Sequence, residues 1–468
     1  MHRTKIICTA GPSVDSREQI EKLVLNGLSV FRINCSHGSY DKYEKALHIL
    51  RSIEKKLHKT IAVMIDLQGP KLRIGDLPYP FTLNKGEHWT LSTVDGANEA
   101  KKVLPVKIKD FSQSVALGGR IFIDDGLIEV QVVKKHPTAV TVKVIQGGGL
   151  SSRKGMNIPF YRGKLSAISA KDRNDLKWGL KQGVDMVALS FVRQAKDIED
   201  LKKLIGKKSH EKRPLIFAKI EKPEALENLD AIIEASDGIL VARGDLGIEL
   251  QQEKVPVAQK YIIERCRKFK KPNIVATQML DSMRFNPIPT RAEVSDVANT
   301  IFSAADAVLL TGETSSGKYP IEACATMNRI IGEVEGYLSQ RTFIKNPADF
   351  DLKENDELFL FHAIQMADKM NIKAIVMLTK QGRLIKVASK FHPKQPIYCL
   401  TPSQELARKL SIFWGVHPLY LPHHKIEDRI LSGQKILLNK KYIQKNDRLL
   451  FIYRDLKTTD LNLKIVVS

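Results

Sequence analysis

Short apolar runs rich in β-branched residues recur along the first two thirds of the chain, and most are separated by stretches of helical periodicity such as REQIEKLVLNG and VAQKYIIERCRKFKK. The apolar runs are TKIICTAG from Thr4, VFRINCS from Val30, IAVMIDLQG from Ile61, MVALSFV from Met186, LIFAKIE from Leu215, ILVARGD from Ile239, NIVATQM from Asn273 and AVLLTGE from Ala307. Such continuous runs are typical of parallel strands buried on both faces. Because strand and helix alternate through eight repeats, the pattern predicts an α/β fold built on a closed (β/α)8 TIM barrel.

The regular spacing breaks once, between Leu67 and Met186. This gap is too long for a simple connection, so we expect a separate module inserted after the third strand. Its segments FTLNKGEHWTLST, GRIFIDDGLIEVQVV and TAVTVKVIQGG alternate apolar and polar residues between glycine turns, which predicts β-strands. We therefore assign residues 1–69 and 159–340 to the barrel and 70–158 to a β-rich insertion, since removing the insertion leaves close to the ~250 residues of a typical barrel.

A different pattern follows the irregular stretch RTFIKNPADFDLKEND at residues 341–356. The helical segments FLFHAIQMADKMN and SQELARKLSIFWG accompany the strand-like segments AIVMLT, PIYCLT, RLLFIY and LKIVVS. This mixture predicts a small C-terminal α/β domain over residues 341–468.

Composition narrows the functional classes. No apolar run approaches the ~20 residues that a membrane-spanning helix needs, so we expect no membrane partner. The formal net charge of +22 would suit nucleic acid, but the lysines are scattered, as in KKLIGKKSHEKR, and are better interpreted as solvated surface, so we expect no nucleic-acid partner. The five cysteines lie far apart and form no Cys-x-x-Cys pair, which favours a reduced, cytoplasmic compartment.

Charged residues directly follow two of the apolar runs. FAKIEKPEAL places Lys219 and Glu221 at the end of one predicted strand, and GILVARGDLGIE places Arg243 and Asp245 at the end of the next. Active sites of such barrels lie where the strands end, so two carboxylates and two cations there predict a divalent metal that holds an anionic, phosphorylated substrate. The alternative interpretation is a salt-bridge network at the barrel mouth.

Other predicted strands also end in polar residues, namely Arg32, Asn34, Ser36, Asp66, Lys71, Arg73, Thr277 and Gln278. Mg²⁺ prefers one or two carboxylates, with water and substrate oxygens in its remaining positions, so Glu221 and Asp245 are a suitable pair. Lys219 and Arg32 would neutralise a phosphoryl group in transfer, which needs positioned cations more than covalent catalysis. Gly244 permits close approach of the backbone to a ligand beside Asp245.

The motifs of this chain closely resemble those of the pyruvate kinase family, over essentially the whole length. The matching segments are TKIICTAGPS, FRINCSHG, DLQGPKLRIG, DDGLI, SRKGMNIP, SFVR, FAKIEKPEAL, VARGDLGIE, ATQMLDSM, PTRAEVSDVAN and GETSSGKYP. The resemblance implies a barrel domain with an inserted β-barrel lid, a C-terminal domain for regulation and oligomerisation, and a homotetramer. It further implies Mg²⁺-dependent transfer of a phosphoryl group from phosphoenolpyruvate to ADP, the last step of glycolysis, with Mn²⁺ as a substitute metal.

The resemblance also implies roles for the residues that react. Glu221 and Asp245 match the ligands of the divalent ion, and Lys219 matches the catalytic lysine that stabilises the phosphoryl group. Arg32 would face the substrate phosphate, and Thr277 the carboxylate and the enolate carbon. Two candidates for the proton source of the enolate stay open, Thr277 and a water linked to it.

Binding residues follow from the same resemblance. The amides of Gly244 and Asp245 would contact the substrate carboxylate. Asn34, Arg73 and, from the lid, Lys154 would contact nucleotide phosphates.

One departure from the family pattern concerns potassium. Many members hold a potassium ion with residues matching Asn34, Ser36, Asp66 and the carbonyl of Leu67, and carry glutamate where this chain has Lys71. Here a fixed ammonium would stand in that neighbourhood and supply the positive charge of the ion. We therefore expect activity without potassium.

A second departure lies in the C-terminal domain. Relatives that respond to fructose 1,6-bisphosphate bind one phosphate in a loop rich in serine, threonine and glycine, where this chain has TKQGRLIK at residues 379–386. A later glycine-rich loop is replaced by YRDLKTTDLNL at residues 453–463. Because small hydroxyls and backbone amides are the donors that such a phosphate needs, we expect no strong activation by this sugar bisphosphate.

Two rival functions stay open at this point. A Mg²⁺-dependent barrel lyase or aldolase acting on pyruvate or oxaloacetate would share the metal carboxylates but would not need Lys154 or the nucleotide arginine. A basic, non-catalytic binding protein descended from such a barrel would have lost the metal ligands or the lysine, whereas Lys219, Glu221 and Asp245 are all present.

Overall fold

The computed structural model of the protein describes residues 2–108, 110–161, 163, 166–206, 213–340, 350, 352–422, 426–454 and 460–468, with backbone alone at 426 and 427. The expected start of the C-terminal domain at residue 341 lies outside the described residues. No helix in these ranges is long and apolar enough to cross a membrane.

The first part of the barrel contains three parallel strands and two helices. These are β1 (Lys5–Thr9), α1 (Arg17–Leu25), β2 (Leu28–Asn34), α2 (Tyr40–Leu57) and β3 (Ala62–Leu67). Every residue of β1 and β3 is buried, as expected for a sheet covered on both faces. Helix α1 begins at a capping box, in which the Ser16 side chain and the Gln19 side chain each accept from the other's backbone amide.

The insertion that follows β3 is β-rich, as its alternating sequence predicts. Its elements are β4 (Phe81–Leu83), β5 (His88–Ser92), β6 (Val103–Pro105), α3 (Phe111–Ser114), β7 (Arg120–Ile123), β8 (Ile128–Lys135), β9 (Ala139–Gln146), β10 (Gly148–Leu150) and β11 (Met156–Asn157). In the described residues a sheet of six strands has the order β11-β7-β8-β9-β5-β6, and β10 pairs with β4. Ile128, Val130 and Val132 alternate into a core of its own around Trp89, so the insertion is a separate packing unit.

The chain then returns to the barrel. The elements are α4 (Ala170–Lys181), β12 (Met186–Leu189), α5 (Ala195–Ile205), β13 (Leu215–Ile220), α6 (Pro223–Glu227), α7 (Leu229–Ala235), β14 (Gly238–Ala242), α8 (Arg243–Glu249), α9 (Val255–Lys268), β15 (Asn273–Ala276), α10 (Arg291–Phe302), β16 (Ala307–Leu310), α11 (Gly312–Ser315) and α12 (Pro320–Ser339). Strand β16 pairs with β1, and this closes a parallel barrel of eight described strands in the order β1-β16-β15-β14-β13-β12-β3-β2. The predicted fold class is confirmed.

The C-terminal part forms its own α/β layer. Its elements are α13 (Asn355–Lys369), β17 (Ala374–Leu378), α14 (Arg383–Lys390), β18 (Ile397–Thr401), α15 (Gln404–Leu410), β19 (Val416–Tyr420), α16 (Ile426–Asn439), β20 (Arg448–Arg454) and β21 (Leu461–Val467). The sheet order is β19-β18-β17-β20-β21 among the described residues, and β21 is antiparallel to β20. Sequence analysis missed β19, because Pro418 within it is a poor strand signal; the strand lies at an edge, where proline is tolerated.

The C-terminal domain packs against the end of the barrel at which the strands begin. Lys5, the first residue of β1, donates from its ammonium to the carbonyl of Val416 at 2.6 Å. Arg408 of α15 lies 3.4 Å from Asp185, which immediately precedes β12. The opposite end of the barrel, where the strands finish, therefore stays available to the insertion and to ligands.

Candidate active site

Four charged side chains meet where β2, β3 and β13 end. Arg32 donates from Nε and Nη2 to Asp66 Oδ2 at 2.9 and 2.8 Å. Lys219 Nζ lies 3.3 Å from Asp66 Oδ1 and 2.9 Å from Glu221 Oε1. All four side chains are nearly buried, so the group is an alternating chain of charges inside the barrel mouth rather than a surface network.

The neighbouring charges stabilise the ionised form of some groups in this charge network but not of others. Burial opposes ionisation of Asp66, but the neighbouring Lys219 and Arg32 overcome it and lower the pKa of the carboxyl. The carboxylates of Asp66 and Glu221 outweigh the effect of burial on Lys219, so the pKa of its ammonium is raised. Burial and the nearby negative charge of Asp245 raise the pKa of Glu221 to about 7 despite Lys219. The negative charge at Glu221 and Asp245 is therefore undercompensated by the described residues.

The donor set at Glu221 and Asp245 suits a divalent ion. No cluster of three or more potential ligands among histidine, cysteine, aspartate and glutamate occurs in the described part of the chain. Mg²⁺ does not require one, because it binds through one or two carboxylates and takes its other oxygens from water and substrate phosphate. Two carboxylates that repel each other in a buried site would be stabilised by such a cation.

Asp245 lies in the first turn of α8, which follows β14 without a loop. The Gly244 amide donates to Thr277 Oγ1 at 2.7 Å, and that hydroxyl donates to the carbonyl of Ala276 at 2.6 Å. Thr277 has φ +70°, a left-handed conformation that is strained for a β-branched residue and concentrates at functional sites. The contacts hold the Thr277 hydroxyl beside the start of α8.

Arg243 lines the cleft between the insertion and the barrel and is held there by hydrogen bonds. Its Nη1 donates to Asp296 at 2.7 Å and its Nη2 to the carbonyl of Thr277 at 2.8 Å. The guanidinium thus supports the strained turn after β15, while the sequence alone made it an equal candidate for binding an anion.

The expected nucleotide contacts lie apart from the charge network. Asn34 ends β2, and its Oδ1 accepts from the Ser36 amide at 3.1 Å. Arg73 donates to the carbonyl of Arg153 at 2.9 Å, at the base of the insertion. Lys154 lies 2.8 Å from Asp124 in the turn between β7 and β8. The structure does not bring Arg73 and Lys154 into contact with Arg32 or Lys219 among the described residues.

Lys71 is also directed toward the insertion. Its Nζ lies 3.9 Å from Asp125 Oδ1, and its backbone amide donates to the carbonyl of Gly69 at 3.1 Å. Asp66, the acidic member of the expected potassium neighbourhood, is engaged by Arg32 and Lys219 instead. Leu67, whose carbonyl belongs to the same neighbourhood, is the fully buried last residue of β3.

A cleft of about 1840 Å³ separates the insertion from the barrel. Its walls include Lys71 and Asp125 on one side and Gly244, Asp245 and Thr277 on the other. The cleft therefore opens onto the residues at the ends of β14 and β15.

Sequence analysis missed Ser190, which follows β12. Lys219 Nζ donates to Ser190 Oγ at 2.8 Å, and that hydroxyl donates to Asp66 Oδ1 at 3.3 Å. The next residue, Phe191, donates its amide to Glu221 Oε2 at 2.7 Å. The signal was present, since the run MVALSFV has a polar residue at its end, as the other functional strands do.

Comparisons with known proteins agree along the chain. Residues 1–324 match the family model described as the pyruvate kinase barrel domain, and residues 358–465 match the pyruvate kinase alpha/beta domain. Pyruvate kinase of Clostridium acetobutylicum is 37% identical over 449 residues, covering 96% of this chain and 95% of that protein. Pyruvate kinase of Staphylococcus epidermidis is 38% identical over 441 residues, covering 92% of this chain and 74% of the relative. The crystal structure of a pyruvate kinase from Cryptosporidium parvum superimposes with a TM-score of 0.93 at 33% identity, covering 100% of this chain and 96% of that one.

We predict that Asp66→Ala destabilises the barrel and impairs the site together. The substitution leaves the ammonium of Lys219 and the guanidinium of Arg32 without their shared anion in a buried position, so the free energy of unfolding should fall by about 3 kcal/mol. Denaturant unfolding measures this change. Asp76→Ala is the matched control, because Asp76 also pairs with two cations, Lys107 and Arg153, but on the surface. Equal stability of Asp66→Ala and Asp76→Ala would contradict the prediction.

Proposed function

This chain belongs to the pyruvate kinase family, and we propose that it transfers the phosphoryl group of phosphoenolpyruvate to ADP, yielding pyruvate and ATP in the last step of glycolysis. The observation that carries the proposal is the position of Lys219 between Asp66 and Glu221 at the barrel mouth. A buried, fixed ammonium there suits the charge that develops on a phosphoryl group between two oxygens.

We propose that Glu221 and Asp245 hold Mg²⁺, with Mn²⁺ as a substitute. Bound there, the ion would neutralise phosphoryl and carboxylate oxygens of the substrate and orient them for transfer. The electrostatics support this assignment, since burial and the negative charge of Asp245 raise the pKa of Glu221, as expected for two neighbouring carboxylates that repel each other.

Other residues of the barrel would orient phosphoenolpyruvate. Arg32 would face its phosphate, and the amides of Gly244 and Asp245 would receive its carboxylate. The Thr277 hydroxyl, held by the Gly244 amide at 2.7 Å, would face the same carboxylate and the enolate carbon. Thr277 and a water linked to it remain the two candidates for the proton donor.

The nucleotide would enter from the side of the insertion, which we propose to be a lid over residues 70–158. Asn34, Arg73 and Lys154 would contact its phosphates. In the present arrangement Lys154 pairs with Asp124, so the nucleotide phosphates would replace this carboxylate as its anionic partner. Closure of the lid would exclude water, which otherwise accepts the phosphoryl group.

We further propose that the chain forms a homotetramer. Exposed apolar side chains occur on α9, on α10 and on the segment before α10: Val257, Tyr261, Phe285, Ile288 and Phe302. A second exposed apolar row, Leu463, Ile465 and Val467, lies on the edge strand β21. Two separate apolar surfaces are what a tetramer with two kinds of interface would bury.

We predict that Lys219→Met abolishes phosphoryl transfer. Loss of one positioned cation from the transition state should lower kcat about 1000-fold, measured by coupling pyruvate formation to a second enzyme. Lys203→Met, at an exposed lysine of α5, is the matched control and should behave as wild type.

Two outcomes of the same assay would count against this function. Substantial transfer by a folded Lys219→Met variant would remove the lysine from the mechanism. Turnover of oxaloacetate by the wild-type chain without dependence on ADP would favour a lyase instead.

We propose that the enzyme needs no potassium and that Lys71 supplies the positive charge. Lys71 lies on the segment that leads from β3 into the lid, so lid closure would move its ammonium relative to Asn34, Ser36 and Asp66. Activity should therefore be nearly equal in potassium, sodium and tetramethylammonium buffers. Lys71→Glu should create a potassium requirement, whereas Lys85→Glu, the same charge change at an exposed lid position, should not. Strong stimulation of the wild type by potassium would contradict the proposal.

We also propose that fructose 1,6-bisphosphate does not strongly activate the enzyme. In the loop after β17, Thr379 Oγ1 already accepts from the amides of Gln381 and Gly382 at 3.3 and 2.8 Å, which occupies donors that a phosphate would need. Residues 455–459 of the later loop lie outside the described residues. Titration calorimetry should detect no tight binding, and a dissociation constant in the micromolar range would refute the proposal.

A further inference from the structure

Helix α8 reaches from the substrate cleft to the lid. Its first turn carries Gly244 and Asp245, and its last turn ends at Ile248 and Glu249. A helix of seven residues is about 10 Å long, so its two ends lie in different surroundings. At the far end, a Cβ on Gly126 of the lid turn would lie 3.7 Å from Ile248 Cγ2, which shows that the lid approaches this end closely.

Glu249 joins this helix to the lid by a side-chain hydrogen bond. Its side chain is completely buried, and Oε1 accepts from Asn157 Nδ2 at 3.1 Å. Asn157 belongs to β11, and it is in register with Phe122 of β7 in the lid sheet. The bond therefore connects α8 directly to the sheet that forms the body of the lid.

The same carboxylate is tied to the metal-binding strand end. Lys222 Nζ donates to Glu249 Oε1 and lies 6.0 Å from the ring centre of Phe191. Lys222 follows Glu221 directly in the sequence, and the Phe191 amide donates to Glu221 Oε2. The buried Glu249 carboxylate thus joins its own helix, α8, to β11 of the lid and to the segment after β13.

The two donors to the Glu249 carboxylate contact the same oxygen. Both Asn157 and Lys222 use Oε1, whereas Oε2 is buried without a hydrogen-bond partner among the described residues. A buried charge is stabilised only while it stays paired, and Lys222 provides that pairing in either arrangement. Loss of the Asn157 bond alone would therefore leave the Glu249 carboxylate still paired with Lys222.

We propose that Glu249 is a positioning residue that couples substrate occupancy of the cleft to closure of the lid. This inference rests on the proposed function. Substrate bound at Gly244 and Asp245 fixes the first turn of α8. The rigid helix fixes Glu249 in turn, and the carboxylate holds Asn157 and the lid base in the position from which Lys154 meets the nucleotide.

Asn157→Ala tests this coupling, because it removes the lid donor while the Glu249 and Lys222 pair stays intact. We expect kcat/KM for ADP to fall about tenfold, since a hydrogen bond to a buried charge is lost. The KM for phosphoenolpyruvate should stay within about twofold of wild type. Asn84→Ala is the matched control, because Asn84 is an exposed lid asparagine whose side chain bonds to Glu87 of the lid and to no residue of the barrel that the structure describes.

Hydrogen exchange supplies a readout that does not depend on turnover. Addition of phosphoenolpyruvate and Mg²⁺ should protect the amides of β7 and β11 in the wild type and in Asn84→Ala, but not in Asn157→Ala. Equal protection in all three proteins would overturn the coupling.

A double-mutant cycle separates coupling from general damage. If Glu249 acts through Asn157, adding Asn157→Ala to Glu249→Ala should cause no further loss in kcat/KM for ADP. If the fold losses of the two single variants instead multiply in the double variant, the two residues act independently, and the inference is overturned. A wild-type chain without transfer from phosphoenolpyruvate to ADP would instead overturn the proposed function, while the exchange experiment would still decide whether ligand binding reaches the lid.

Discussion

Burial of four alternating charges at the barrel mouth is the constraint on which the rest of the structure depends. Arg32, Asp66, Lys219 and Glu221 come from three different strand ends, and each is stabilised in a desolvated position by its neighbours. Removal of Asp66 would leave Arg32 without its acidic partner, and removal of Lys219 would leave Glu221 without its cation. An unpaired buried charge is more costly than most losses of packing. The closed barrel is suited to this task, because its paired parallel strands hold the strand ends at a fixed spacing.

The charge network also gives a reason why the proposed metal site would need so few residues. Lys219 compensates Asp66 and part of Glu221, and Asp245 adds further negative charge beside Glu221. A divalent ion and an anionic substrate would complete the balance together, each making the site more favourable for the other. The site is therefore preorganised: the protein holds the charged side chains in place before binding, and the ligands would supply the positive charge that balances Glu221 and Asp245.

Sequence reasoning predicted the barrel, the insertion and the C-terminal α/β part because each has a distinct hydrophobic period. It missed one strand whose sequence signal is weak and one site residue whose signal is present. Strand β19 contains Pro418 and was overlooked, and Ser190 was passed over although it ends an apolar run like the other site residues. For Arg243 the sequence indicated only a cation at a strand end, and the structure adds that its guanidinium supports the turn at Thr277.

The sequence by itself determined which chemical groups stand at the barrel mouth, because the last residue of a buried parallel strand must emerge at the same edge wherever the strand lies in the order. Only the tertiary structure decided how those groups pair. Closure of the barrel brings Lys219 to Asp66, and folding of the insertion brings Asn157 to Glu249 and Lys71 to Asp125. Such contacts join residues far apart in the chain, and their geometry follows from the packing of whole strands and domains, which no local pattern of residues contains.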